Sequence, residues 1–415
     1  MKRIILSITL FVVGMAIFVH GVHAQDLSYY NNLYMRVDSS FADRLVILQA
    51  VQQDEVQATP DFYLNALKYL LAKTAEINSK TEQQAAETSV IILAQALGAA
   101  KHAEAANDLW TAADYFDVIR DTFREPNEGN AQQAALIALA KVDGKTYIPH
   151  IVQRLTDFNT QLHRNAETRR RVQTAVIGCI RALEIFKDIS GYRPVFFVYT
   201  GGYDTAVKQI AASALPNITD DPCDVVIEII RDTSIIPPIK LDAWNEMFRT
   251  RAPNSSKAKV AAVALEVGWV YNTSNRTWQA NLKQLRKNAI EVIRQHGVQG
   301  DNVYADLEKS YSANFISNSP DYDEITATLN ALSSLKTDEA VELLHKFLKE
   351  LHARRRSGPW RDKERQLFEW VVASIGFTGT RSLEVRLTLR TIQMSDQYTA
   401  QEKSMAGNAL SQLGN

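Results

Sequence analysis

NAQQAALIALAKVDGKTYIPHI, residues 130–151, reads as a helix, a turn and the start of a second helix. Ala134, Ala135, Ala138 and Leu139 put small side chains on one face at helical spacing. Asp143-Gly144-Lys145 turns the chain, and Ile148, Ile151, Val152 and Leu155 restart an apolar stripe. Small residues let a neighbouring helix approach closely. The turn is expected to return the second helix antiparallel against the first.

The same chemistry reappears 193 residues on. Leu136, Ala138, Leu139, Val142, Ile148, Ile151, Leu155 and Phe158 become Leu329, Ala331, Leu332, Leu335, Val341, Leu344, Leu348 and Leu351. With one deletion, Ala175, Val176, Cys179, Ile180 and Leu183 fall on Leu367, Phe368, Val371, Val372 and Ile375. A shift of 193 is close to five units of roughly 39 residues, the period of stacked helical hairpins. Weaker copies lie between. One is a helix ending at Ala214-Leu215-Pro216, followed by Asp220-Asp221-Pro222 and then Val225, Val226, Ile229 and Ile230; another is Val260, Ala261, Ala264 and Leu265. Residues 402–413 begin one more helix, a terminal half repeat. The fold class that follows is all-α, an α-solenoid of stacked antiparallel helical hairpins.

These residues resemble a known family. Asn130 to Ile151, Asp204 to Ile230 and Asp323 to Leu348 are similar to the HEAT repeat of the armadillo-like superfamily, including the short variety first associated with phycobilisome lyases. The resemblance implies a solenoid whose faces bind other macromolecules, and it carries no catalytic residue. It departs from the family pattern in two ways. The Arg expected early in the second helix is missing from several units, and residues 268–320 fit poorly, as an irregular repeat or an insertion would.

The amino terminus carries a different signal. Lys2 and Arg3 precede an apolar run from Ile4 to Val19, and Val22-His23-Ala24 ends in small residues before Gln25. This is the pattern of a secretory signal peptide over 1–24, cleaved after Ala24, because sixteen residues are marginal for about 30 Å of hydrocarbon. If retained, the segment becomes an N-terminal anchor. Residues 25–415 then form the HEAT-like repeat domain, exported to the periplasm or secreted. Loss of Lys2 and Arg3 takes the formal charge from −1 to −3, so no global field gathers nucleic acid, and no membrane span is expected after leader removal. Asn217, Asn254, Asn272 and Asn275 stand in glycosylation sequons, acceptors only in a secretory system that reads them.

Motifs for chemistry are sparse. The chain has no His-x-x-x-His pair, no Gly-x-Ser-x-Gly elbow and no Gly-x-x-x-x-Gly-Lys loop, so neither metal nor cofactor is expected. Cys179 lies in the stripe Val172, Ala175, Val176, Ile180, Leu183; it and Cys223 read as small core residues, with a disulfide as the alternative. Asp321-Tyr-Asp323-Glu324 precedes a helix and reads as a cap. Residues 192–203, rich in aromatics, read as core packing, with Pro194 in a first helical turn and Gly201-Gly202 at its end.

Two basic clusters are the candidate partner-binding residues. Arg164 with Arg169, Arg170 and Arg171 follows the first clear unit; Arg354, Arg355 and Arg356, with Trp360, Arg361 and Lys363, follow the second. Equivalent loops of a solenoid emerge on one edge, so both clusters are expected there, against an acidic protein, with lipid or glycan phosphates as the alternative and Trp360 as a stacking anchor. The bland alternative is solvated charge at helix boundaries. The function expected is therefore an exported, non-enzymatic scaffold or adaptor for protein–protein interaction. The alternatives are a lyase-like or other enzyme accessory, marked by a deep pocket with displaced pKa values, and a self-associating envelope structural protein.

Overall fold

The computed structural model describes residues 27–53, 58–120, 127–161, 165–316 and 320–413; the leader lies outside them. Within these residues the chain forms twenty α-helices and no strand. They fall into two compact units, Met1–Thr219 and Asp220–Asn415.

The first unit holds α1 (Leu27–Tyr34), α2 (Phe41–Gln53), α3 (Pro60–Ala72), α4 (Lys80–Ala100), α5 (Ala106–Tyr115), α6 (Asn130–Lys141), α7 (Ile148–Thr160), α8 (Ala166–Phe186), α9 (Tyr192–Thr200) and α10 (Thr205–Ile218). Helices α2, α4, α6, α8 and α10 pack on one another in that order as one row. In a second row α1, α3 and α5 follow one another, as do α7 and α9. Each second-row helix pairs with the one after it: α1 with α2, α3 with α4, α5 with α6, α7 with α8, α9 with α10. This is the solenoid arrangement expected of hairpins that shield each other's apolar faces.

Small residues bring the first row together. A Cβ on Gly98 of α4 would stand 3.1 Å from the Ala138 Cα of α6, and one on Gly178 of α8 would stand 2.8 Å from the Gln133 Cα. Helix α6 is thus gripped on both sides at backbone distance. The sequence predicts α6 and α7 as a hairpin across Asp143-Gly144-Lys145, and here the structure differs. Because α4, α5 and α8 occupy the apolar surface of α6, the turn hands the chain on, and α7 packs chiefly on α8 and α9. Leu93, Leu97, Leu136, Leu139, Val176, Ile180 and Leu183 are fully buried between these helices. Each such side chain contributes about 1.5–3 kcal/mol at most.

The second unit repeats the plan with α11 (Cys223–Arg231), α12 (Pro237–Met247), α13 (Asn254–Val270), α14 (Arg276–His296), α15 (Val303–Ile316), α16 (Tyr322–Leu335), α17 (Asp338–Ser357), α18 (Asp362–Thr378), α19 (Leu383–Met394) and α20 (Ala400–Gln412). Helices α12, α14, α16, α18 and α20 form one row and α11, α13, α15, α17 and α19 the other. The stretch 268–320 that fits the repeat poorly contains α14 and α15, which take their places in these rows.

An offset of ten helices therefore relates α6 to α16 and α8 to α18, which is the physical content of the 193-residue shift. Of the paired positions in the two segments all are buried except Leu335, which is half-buried. The first hairpins of the two units correspond as well. Phe41, Arg44, Leu48 and Val51 of α2 are buried, and so are Pro237, Lys240, Trp244 and Met247 of α12, 196 residues later. Arg44 donates from Nε to the Tyr34 carbonyl at 3.2 Å and from Nη2 to the Arg36 carbonyl at 3.1 Å. Lys240 donates from Nζ to the carbonyls of Ile230 at 2.5 Å, Asp232 at 2.6 Å and Ile229 at 3.3 Å. In both units a buried cation satisfies the orphan carbonyls at the end of the first helix.

Helix ends follow local chemistry. Ser79, Asn165, Asp321, Thr337 and Thr399 accept at the N-termini of α4, α8, α16, α17 and α20. Left-handed residues close four helices of the first-named rows: Lys101, Lys187 and Lys336 after α4, α8 and α16, and Gly379 after α18.

Candidate functional site

The two basic clusters sit at equivalent joints, α7/α8 and α17/α18, and the packing treats them differently. At the first, Asn165 caps α8 by accepting from Glu167 N at 2.8 Å and Thr168 N at 3.4 Å. That places Arg169, Arg170 and Arg171 in the first turn and a half, the end of a helix where positive charge is least favoured. Arg170 is neutralised by an ion pair with Glu128 from the α5/α6 joint. Arg171 is buried, its guanidinium donating to the Asn127 carbonyl at 3.4 Å and to Thr168 Oγ1 at 3.2 Å. Arg169 is exposed, and Arg164 lies outside the described residues. As a contiguous partner-binding cluster this region is corrected: Arg171 is committed to the interior because the preceding joint supplies a carbonyl for it.

At the α17/α18 joint Arg354, Arg355 and Arg356 form the C-terminal turn of α17, where positive charge complements the helix dipole. Arg354 lies 4.2 Å over the Phe315 ring of α15 and meets Glu364 Oε1 at 3.2 Å. Arg355 donates from Nε to the Gln397 carbonyl at 2.7 Å and faces the rings of Trp360 at 5.5 Å and Tyr398 at 5.9 Å. Arg356 and Arg361 are exposed, and Lys363 lies 5.9 Å from the Phe315 ring. The contacts tie together the joints α15/α16, α17/α18 and α19/α20, so within this unit like loops do share an edge.

Trp360 does not present a free ring, and the expectation of an exposed anchor is corrected. It is 7% exposed, wedged against Phe368 at 4.5 Å and Tyr398 at 5.4 Å, with Nε1 donating to the Leu351 carbonyl at 3.3 Å. Its apolar area is worth more inside, once the indole N–H has a partner there. Phe315 and Tyr398, some forty residues away on either side, were not among the expected residues. Nothing in the local pattern marks them, because they meet the arginines only through stacking of successive hairpins.

Titration behaviour reports the local field. The Lys363 amine is held below the usual lysine range by partial burial and by Arg354 and Arg361 nearby. His352 is pushed down by burial and by Arg356, and His345 by burial and by Lys349. His345, Lys349, His352 and Arg356 recur along one face of α17. From Lys349 to Arg365 there are seven Lys and Arg against three Asp and Glu, a surplus of four positive charges.

The remaining expected groups have settled partners. Asp321 caps α16, accepting from Asp323 N at 3.0 Å and Glu324 N at 3.2 Å, and the acidic run is matched by α14: Lys283 to Asp321 at 2.5 Å, Arg286 to Glu324 at 2.7 Å, Lys287 to Asp323 at 3.3 Å. In the aromatic stretch Tyr192, Val195, Phe196 and Val198 of α9 are buried, and the Tyr203 hydroxyl donates to Asn159 Oδ1 at 3.0 Å. Cys179 and Cys223 are free and buried; burial pushes the Cys179 thiol up to about 12 and the Cys223 thiol up as well. Neither is a reactive thiolate at neutral pH.

A cavity of about 400 Å³ opens between α11, α13 and the start of α15, with Arg231 and Lys259 beside Glu266 and Asp306. The Asp306 carboxyl is raised by burial and by the charge of Glu266. Among the described residues no group of three His, Cys, Asp or Glu is placed to hold a metal, and no helix is long and apolar enough to cross a membrane. Comparison with known protein families and with curated proteins finds no match for this chain.

Proposed function

We propose that the chain is an exported, non-enzymatic scaffold or adaptor of HEAT-repeat type that binds another protein through the loop edge of its stacked hairpins. The observation that carries this reading is the two-row packing. Each helix packs on its neighbours in the rows, and the joints of successive hairpins in the second unit lie side by side, linked by Arg354, Arg355, Phe315 and Tyr398. Such an edge offers several loops to one partner at once, the way repeat arrays recognise macromolecules. Export rests on the leader pattern of residues 1–24. Crosslinking in intact cells, followed by affinity capture and fractionation, tests both parts. A discrete protein partner recovered from the envelope or the medium is expected; a chain that stays inside the cell, or that captures nothing above a mock sample, overturns the reading.

One observation favours self-association as a second reading. Leu383, Leu387 and Met394 stand exposed along α19, at 69%, 51% and 83%, with Phe377 exposed at the end of α18. Apolar side chains repeated on one helix face are the raw material of an interface. Light scattering across a hundredfold concentration range separates the two: a constant mass supports the adaptor and a rising one self-association.

A further inference from the structure

We propose that the α17/α18 joint of the second unit is the docking surface for an acidic polypeptide segment bearing an apolar side chain. Its carboxylates meet Arg356, Arg361 and Lys363, and its apolar group rests on Ile316. The proposal rests on the adaptor reading and adds the site and the chemistry of the partner.

Three independent features converge here. The first is charge: over Lys349 to Arg365 the surplus is four positive, and Glu364, the acid best placed to offset it, is already engaged by Arg354 and by the Arg361 backbone N–H at 3.0 Å. Positive groups lie close together: Lys363 and His352, held down first by burial, are held down further by Arg354 and Arg361 and by Arg356 respectively. An acidic partner relieves that repulsion as it binds, whereas a neutral one does not.

The second feature is preorganisation. Arg354 and Arg355 lie against the rings of Phe315, Trp360 and Tyr398, and Arg355 is further held by the Gln397 carbonyl. Side chains already held against rings lose little rotamer freedom on binding. They fix positive charge at the joint where Arg356 and Arg361 are exposed.

The third feature is apolar. Ile316 ends α15 with 75% of its surface exposed, next in the chain to the Phe315 ring that Arg354 and Lys363 share. An isoleucine exposed one residue from that ring gives the aliphatic residue of a carboxylate-rich segment something to rest on, which a free phosphate would not use. Among the described residues of the equivalent joint in the first unit, Arg170 is paired to Glu128 and Arg171 is buried.

The test is fluorescence anisotropy with the full mature chain and a labelled twelve-residue peptide of Glu and Asp carrying two leucines. Saturable binding that weakens tenfold or more between 50 and 200 mM salt is expected. Arg356→Glu with Arg361→Glu should lower affinity at least tenfold and Ile316→Ser about threefold, while Arg169→Glu with Arg170→Glu in the first unit should change it less than twofold. Helical circular dichroism and melting of each variant are followed alongside, so that unfolding is not mistaken for lost binding. Absence of peptide binding, equal losses from the two joints, or binding to phosphatidylglycerol vesicles in place of the peptide overturns the proposal. If the charge-reversed chain still captures its cellular partner in full, this site is wrong and the adaptor stands; if the wild type captures none, the adaptor reading itself falls.

Discussion

Two joints of this molecule begin from nearly the same letters and end in different physical states. Arg169-Arg170-Arg171 opens α8, and Arg354-Arg355-Arg356 closes α17. The first triplet stands at a helix N-terminus, where the dipole opposes cations: Arg171 is buried against the Asn127 carbonyl, and Arg170 pairs with Glu128 at the surface. The second stands at a C-terminus, where the dipole favours cations, and the rings of Phe315, Trp360 and Tyr398 support it together with Glu364. A basic run in a repeat protein is therefore informative only once its place on the helix and its neighbours across the stack are known.

The most severe way to break this comparison is Trp360→Ala. As a core residue it should cost about 3–5 kcal/mol of stability in urea denaturation; if it instead left stability intact and abolished partner capture, the ring would belong to the surface after all. Arg171→Ala should cost about 1–3 kcal/mol, because it strips a buried hydrogen-bonded cation, whereas Arg356→Ala should leave stability within about 0.5 kcal/mol. Equal costs would mean that the two joints are alike.

The opening hairpins sharpen the comparison through pH. Burial pulls the Lys240 amine down to about 8 from the ordinary 10.5. Between these values the unfolded chain binds more protons than the folded one, so this group's contribution makes stability rise as pH climbs from about 8 towards 10.5. Urea midpoints measured at pH 7.5, 9 and 10 should show the rise, and Lys240→Met, though less stable for want of a donor to three carbonyls, should lose that slope. The smallest effect lies at the ends of α8 and α18, closed by Lys187 with φ 55° and by Gly379 with φ 65°. Lys187→Gly should raise stability by about 0.5–1 kcal/mol and Gly379→Ala should lower it by a similar amount; thermal melts of the pair would reveal opposite shifts.

Much of the fold could be read before any coordinates. The stripe Ala175, Val176, Cys179, Ile180, Leu183 is buried at every position, and so are its counterparts from Leu367 to Ile375, because a 3.6-residue period fixes which side chains share a face. The cap at Asp321 was equally plain, since its partners lie two and three residues away. What escaped was pairing. Asp143-Gly144-Lys145 does turn the chain, with Asp143 at φ 63°, but a turn does not say which neighbour a helix will prefer. The glycines that settle it, Gly98 and Gly178, lie 40 and 45 residues from Ala138 and Gln133, the positions they meet on that helix.

The candidate site shows the same division. Arg354 to Arg356 and Arg361 were identifiable from composition, yet their footing on Phe315 and Tyr398, and the exposure of Ile316 beside them, depend on three hairpins coming into register. Sequence alone determined the helical class, the repeat length, the buried stripes and the caps, all of which arise from interactions within a few residues of one another. Tertiary structure alone decided that Arg171 is buried while Arg356 and Arg361 stay exposed, and that Trp360 turns inward. Those outcomes depend on charges and rings brought together from distant parts of the chain, where local periodicity carries no information.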